Sequence, residues 1–230
     1  MNSEEEMAKT KTIWYCTECG ADTPKWEGKC PACGAWNTLV EERVSTKSPT
    51  KDGAFSAVKS HPVKVSELEA ADEQRIKMPS QELNRVLGGG LVAGSLVLIG
   101  GEPGIGKSTL VLQNILSIKS RKVLYVSGEE SATQIKLRAD RIGRMSDNVY
   151  IVCESSLEAI FGHIKELEPQ LVIVDSVQTI ASDAIESSAG SVSQVRECTA
   201  RLLKYAKSSN VPVILIGPVS YTHLRAHETL

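Results

Sequence analysis

Gly101, Glu102, Pro103, Gly104, Ile105, Gly106, Lys107 and Ser108, followed by Thr109, fit the phosphate-loop pattern G-x-x-x-x-G-K-[ST] at every fixed position. Glycines let such a loop curl until its N–H groups converge on phosphate oxygens, and the following helix N-terminus adds a partial positive charge. In that chemistry Lys107 reaches the β- and γ-phosphates of a nucleotide and the Ser108 hydroxyl ligates Mg²⁺. Asp175 closes the apolar run 171–174 about 70 residues later, which is the Walker B form, and would hold the Mg²⁺ hydration shell beside Ser108. Glu129 follows another apolar run, 122–126, at the carboxyl end of an expected strand, where side chains of an α/β sheet face the ligand crevice. It is the candidate for polarising the attacking water. Its neighbour Glu130 reads instead as a solvated residue at a helix start, with Ser131 as N-cap.

A second chemistry lies upstream. Cys16 and Cys19 form one C-x-x-C pair, and Cys30 and Cys33 another, with ten residues between the pairs. Two such knuckles place four thiolates around one tetrahedral Zn²⁺ at about 2.3 Å each. Gly20 and Gly34 each follow a pair, where a tight turn needs a residue tolerant of positive φ. A redox pair is the alternative, and the duplicated spacing argues against it. So short a segment cannot bury enough apolar surface by itself, so the metal would supply its folding free energy. Trp14, Trp26 and Trp36 lie in or beside the module. Aromatic residues there either cover a small zinc core or stack on bases or a partner, and the covering role is the expectation. Cys153 and Cys198 read as small core residues.

The elements that position these groups alternate strand and helix. Strands are expected at 96–99, 122–126, 149–153, 171–174 and 211–216. Helices are expected at 109–119, with Leu110, Ile115 and Ile118 near one face; at 131–144, burying Ala132, Ile135, Ala139 and Ile142; at 156–167; and at 191–208. A short helix in 81–90 ends in three glycines. The second of these helices would expose Lys136, Arg138, Arg141 and Arg144 as a basic cluster; the last would expose Arg196, Arg201, Lys204 and Lys207. The small-residue loop 176–190 lies beside the nucleotide site and could touch a DNA strand, helped by Arg196. The fold class is therefore α/β, a P-loop core with a mostly parallel sheet flanked by helices, preceded by a small C4 zinc-ribbon-like module. The expected division is 1–12 as a disordered N-terminus, 13–40 as the zinc module, 41–65 as a Ser-, Lys-, Thr- and Pro-rich linker, 66–217 as the ATPase core, and 218–230 as a tail.

At 230 residues, 41% hydrophobic and net charge −2, the chain suits one medium domain with a small appendage, and any nucleic-acid site must be a local patch. No run of the sequence approaches the ~18 apolar residues of a membrane span. The acidic start is unlike a secretory signal, and cysteine pairs of this kind are typical of intracellular metal binding, so a cytoplasmic protein is expected.

The chain resembles the bacterial RadA (Sms) family of recombination and repair proteins, within the RecA-like ATPase superfamily, from about Met7 to Gly217. The resemblance rests on C-T-E-C and C-P-A-C-G-A-W, E-L-N-R-V-L-G-G-G, G-G-E-P-G-I-G-K-S-T, Y-V-S-G-E-E-S, V-D-S-V-Q-T and G-S-V-S-Q-V-R-E. It implies a RecA-like core assembling into a homo-oligomeric ring, ATP-driven movement on single-stranded DNA while branched recombination intermediates are processed, and other recombination proteins as partners. It also implies that Lys107, Ser108 and Asp175 act as above and that Glu129 is the catalytic glutamate. The likeness breaks at Pro218, where the family has a histidine. Residues 218–230 carry neither the family's Lys-Asn-Arg-Phe-Gly motif nor the start of its Lon-protease-like domain, and read as foreign sequence. His223 and His227 lack a third metal ligand. A chain ending there is expected to bind ATP·Mg²⁺ and hydrolyse it poorly, since arginines from later segments or a neighbouring subunit complete such sites. Two rival readings are a KaiC-type signalling ATPase or autokinase and an ATP-binding module that only docks on DNA or a repair partner.

Overall fold

A computed structural model describes residues 10–16, 21–45, 64, 66 and 75–218. Cys19, Gly20, most of the expected linker and residues 219–230 with both tail histidines lie outside the described residues.

The first unit is a three-stranded antiparallel sheet in the order β2-β1-β3, formed by β1 (Thr10–Cys16), β2 (Asp22–Thr23) and β3 (Leu39–Ser45). The β1–β3 ladder runs from Thr10 opposite Ser45 to Cys16 opposite Leu39, so the sheet extends past the expected 13–40 span at both ends. Thr10 to Thr12, read as part of a disordered arm, are paired strand residues.

The second unit begins with α1 (Gln81–Val86), capped by the Ser80 side chain. A five-stranded parallel sheet follows, built of β4 (Leu96–Gly100), β5 (Val123–Ser127), β6 (Val149–Cys153), β7 (Leu171–Asp175) and β8 (Val213–Gly217) in the order β4-β8-β7-β5-β6. The period of two divides each central strand between two cores. Val123 and Tyr125, Leu171 and Ile173, and Ile214 and Ile216 join α2 (Lys107–Ile115) and α3 (Ala132–Ile142) on one face. Leu124 and Val126, Val172 and Val174, and Val213 and Leu215 meet α4 (Leu157–Leu167) and α5 (Val192–Ser209) on the other. Among the described residues no helix is long and apolar enough to cross a membrane.

Several face assignments differ from the sequence reading. The phosphate-loop helix starts at Lys107 rather than 109; it buries Val111, Leu112 and Ile115, and leaves Leu110 exposed. Ala132 is exposed because it is the first residue of α3, where the turn has not yet rotated onto the sheet. The expected basic cluster is partly consumed. Arg138 folds inward to pair with Glu130, Lys136 pairs with Asp140, and Arg144 donates to the Ser117 hydroxyl. On α5, Arg201 turns in toward Glu158, donates to the Ser182 hydroxyl at 2.7 Å and lies over the Phe161 ring. Arg196 reaches Asp22 of the ribbon at 3.3 Å.

Cys198 is buried as expected, but Cys153, last residue of the edge strand β6, is exposed. Burial, reinforced by the Glu158 carboxylate, pushes the Cys198 thiol up to about 12. The thiolate is the reactive form, so Cys198 is closed to reagents both by its burial and by its raised ionisation, while Cys153 stands open to solvent. In the native protein with its metal bound, a thiol reagent at pH 8 should modify Cys153 rapidly and leave Cys198 untouched until denaturant is added. A fast phase that persists in Cys153→Ser would contradict this.

Candidate nucleotide and metal sites

Four helices carry a serine at the N-cap, and each of these side chains accepts an amide: Ser80 on α1, Ser131 on α3, Ser156 on α4 and Ser191 on α5. The helix α2 differs. Its N-cap is Gly106 at φ 94°, and no side chain caps it. A helix leaves its first four N–H groups without intrahelical partners, and their combined dipole attracts anions. In α2 these amides follow directly on a loop whose other left-handed residue, Gly104 at φ 81°, is also open to its surroundings. A side chain at either glycine would strain the backbone. Lys107 spans the mouth of the loop, its Nζ donating to the carbonyls of Gly101 and Glu102 at 2.8 Å each. Gly101 is buried, whereas Glu102, Pro103, Gly104, Ile105, Gly106 and Thr109 are exposed and Ser108 is half-buried. An uncapped helix start, a glycine cradle and one ammonium group together fit a polyphosphate.

Two acidic groups come to the same carboxyl edge of the sheet. Asp175 ends β7 next to Ser127 at the end of β5, in register. Its Oδ2 accepts a short hydrogen bond from the Tyr125 hydroxyl. Burial, with the Asp175 charge added to it, pushes the Tyr125 phenol well above its ordinary range, so it stays a donor. Tyr125 therefore fixes one oxygen of Asp175, a contact the motif reading did not anticipate. Alternation along β5 placed Tyr125 on the face of α2, which was the available signal.

Glu129 lies just beyond β5. Its Oε1 accepts from the Ser176 hydroxyl at 2.7 Å and from Gln178 Nε2 at 3.1 Å, both from the segment after β7. The approach is close. A methyl group at Gly128 would lie 2.0 Å from Thr179 Oγ1 and 2.7 Å from its Cβ, so the two segments meet only because residue 128 has no side chain. Glu130 takes a different part from the solvated helix start expected of it. It is ion-paired with Arg138, whose side chain is 14% exposed, and Glu130 Oε2 and Arg138 Nη1 are buried without a hydrogen-bond partner. The 176–190 loop is clamped from α5: the buried Gln194 accepts from Ser182 N and donates to the carbonyls of Ser182, Ile185 and Ser187.

In the ribbon, the two cysteine segments repeat as C-x-x-C-G-A, and the backbone repeats with them. Cys16 N donates to Ala21 O at 2.9 Å, and Cys30 N to Ala35 O at 2.8 Å. Gly34 has φ 76°, as a knuckle turn requires. The Sγ atoms of Cys16, Cys30 and Cys33 lie within 4.8 Å of one another. Cys16 Sγ and Cys33 Sγ are 3.7 Å apart, far beyond a disulfide bond and close to the ~3.8 Å edge of a tetrahedron with 2.3 Å zinc–sulfur bonds. Cys16 Sγ also contacts Thr38 Oγ1 at 3.1 Å. The donor set suits Zn²⁺.

Comparison with known proteins finds matches for both units. A family model described as an AAA domain matches residues 62–220, and one described as a rubredoxin metal binding domain matches residues 14–41. A protein of Bacillus subtilis (strain 168) named DNA repair protein RadA is 50% identical over 219 residues, covering 93% of this chain and 48% of the relative. The protein of the same name from Aquifex aeolicus (strain VF5) is 48% identical over 218 residues, with the same coverage. The chain thus spans about half the length of the curated relatives it matches. A KaiC-like protein from the archaeon Pyrococcus horikoshii OT3 superimposes with a TM-score of 0.50 at 21% identity, over 64% of this chain and 71% of that one, a likeness of fold.

Proposed function

The chain belongs to the AAA-domain family with a RecA-like core, and on that premise we propose that it is the nucleotide-hydrolysing part of a DNA-repair ATPase acting on single-stranded and branched DNA. The observation that carries the reading is the uncapped, glycine-led α2 with Lys107 at its mouth, on the same sheet edge as Asp175 and Glu129. Residues 101–109 would hold the ATP phosphates, with Lys107 countering their charge. Ser108 and Asp175 would hold Mg²⁺, which supplies further neutralisation of that charge. Tyr125 restrains Asp175 by donating to its Oδ2. Glu129, oriented by Ser176 and Gln178, would accept a proton from the attacking water. Cys16, Cys19, Cys30 and Cys33 would hold one structural Zn²⁺; for Cys19, the repeat of the C-x-x-C-G-A segment supports the assignment.

Relatives named for DNA repair support the DNA partner, and a RecA-like core supports ring assembly with other copies and contact with recombination proteins in a cytoplasmic setting. Branch processing through ATP-driven movement is the finer form of this reading. The test is ATP hydrolysis at one stated low salt, with and without single-stranded DNA, beside Lys107→Ala. The expected result is a rate that DNA raises and Lys107→Ala abolishes. A rate indifferent to both would overturn the proposal. Nucleotide binding without DNA-dependent turnover would leave a docking module that uses ATP as a conformational ligand.

A further inference from the structure

Neither site makes use of Trp26 and Trp36. The apolar core of the ribbon consists of Cys16, Cys30 and Leu39, with Trp14 and Ala21 packed against it. Trp26 is 53% exposed and Trp36 70% exposed, so these two rings do not cover the metal, contrary to the expectation from sequence. A module this small has little apolar surface to bury, and it leaves its two largest available side chains in water.

The two rings stand together. A methyl group at Gly28 would be 3.8 Å from Trp26 Cη2 and 3.8 Å from Trp36 Cζ3, so the rings flank one glycine that puts nothing between them. Lys29 pairs across an antiparallel bridge with Trp36, and its ammonium lies 5.6 Å from that ring's centroid. Even with Lys29 beside it, most of Trp36 remains open. The backbone under the patch is pinned by Asn37 N donating to Gly28 O at 2.9 Å and by the Cys30 knuckle. The rings therefore ride on the metal-binding turn rather than on a free loop.

We infer that Trp26, Lys29 and Trp36 form a stacking platform for the bases of single-stranded DNA. Flat π-faces that accept any unpaired base, next to a cation for the adjoining phosphate, are the chemistry of sequence-tolerant single-strand binding. Duplex DNA hides its base faces and offers such a surface only its phosphates. The inference rests on the DNA-binding reading above and deepens it, placing a contact on the ribbon, remote in sequence from the nucleotide loop.

The experiment titrates the zinc-loaded full chain with a fluorescently labelled oligo(dT) at one stated low salt, against Trp26→Ala, Trp36→Ala, the corresponding phenylalanine variants and Lys29→Gln. Each alanine variant should weaken binding by roughly 5- to 150-fold, the size of one lost base–aromatic stack. Phenylalanine should restore most of the loss. Lys29→Gln should reduce the salt slope by about 0.7, one single-strand phosphate contact. Zinc content and nucleotide binding should stay unchanged throughout, which separates loss of the platform from loss of the fold. Alanine variants that keep their zinc and bind oligo(dT) as tightly as the parent would overturn the platform while leaving the DNA reading in place. A parent chain that binds no single-stranded DNA, with or without nucleotide, would remove both.

Discussion

Replacing Glu129 with glutamine should leave nucleotide binding intact and lower turnover by about 10²–10⁴-fold, the usual contribution of a positioned general base. The prediction follows from how the carboxylate is held. Glu129 Oε1 accepts from both Ser176 and Gln178. Glutamine keeps a carbonyl oxygen able to accept both bonds, so the side chain stays in place and loses its basicity. The same exchange at Asp175 would be ambiguous, because Tyr125 donates to that carboxylate and an amide could flip toward the hydroxyl. The measurement is single-turnover ATP hydrolysis with the protein in excess, which keeps a slow parent rate readable, together with binding of a fluorescent ATP analogue. Unchanged turnover in Glu129→Gln would remove Glu129 from the chemistry. Loss of nucleotide binding would instead make it a structural strut between β5 and the segment after β7.

The strand–helix alternation and the phosphate loop were legible because they rest on local rules. Central strands buried on both faces read as continuous apolar runs, and a glycine-rich turn before a lysine leaves few alternatives. The positions of the two acids were legible for the same reason, Asp175 ending such a run and Glu129 lying two residues beyond the strand built on another. What escaped was decided by partners distant in sequence. Arg138 reads as one of four exposed cations on a helical face, and only its contact with Glu130 makes it a half-hidden ion pair. Arg201 is drawn in by Glu158 and Ser182, 43 and 19 residues away. Cys153 follows an apolar pattern, but it sits on an edge strand with solvent on one side, and strand order is not written in a single strand's sequence. Composition could not choose between covering and stacking tryptophans. That choice depends on which way the knuckle turns them, and Leu39 and Trp14 already fill the small core.

The smallness of that core sets the other large effect. Cys30→Ala, or removal of the metal by a strong chelator, should unfold the sheet of β1, β2 and β3 while the parallel sheet stays folded. Among the described residues the ribbon's core is three buried residues with two packed against them, too little apolar surface to hold so small a unit folded by itself. A structural zinc contributes an apparent 10–16 kcal/mol in comparable small modules, enough to decide whether the unit folds. The larger unit does not depend on it, since its two cores are built from residues 76 onward. The check is hydrogen exchange read by segment, with zinc content measured in parallel. Amides of residues 10–45 should exchange fast in the variant, while those of β5, β7 and β8 keep parent protection. Protection of the ribbon that survives loss of zinc would mean that its fold comes from contacts with the core, such as Arg196 to Asp22. An exposed ion pair of that kind is worth only about 0–1 kcal/mol, too little to replace the metal.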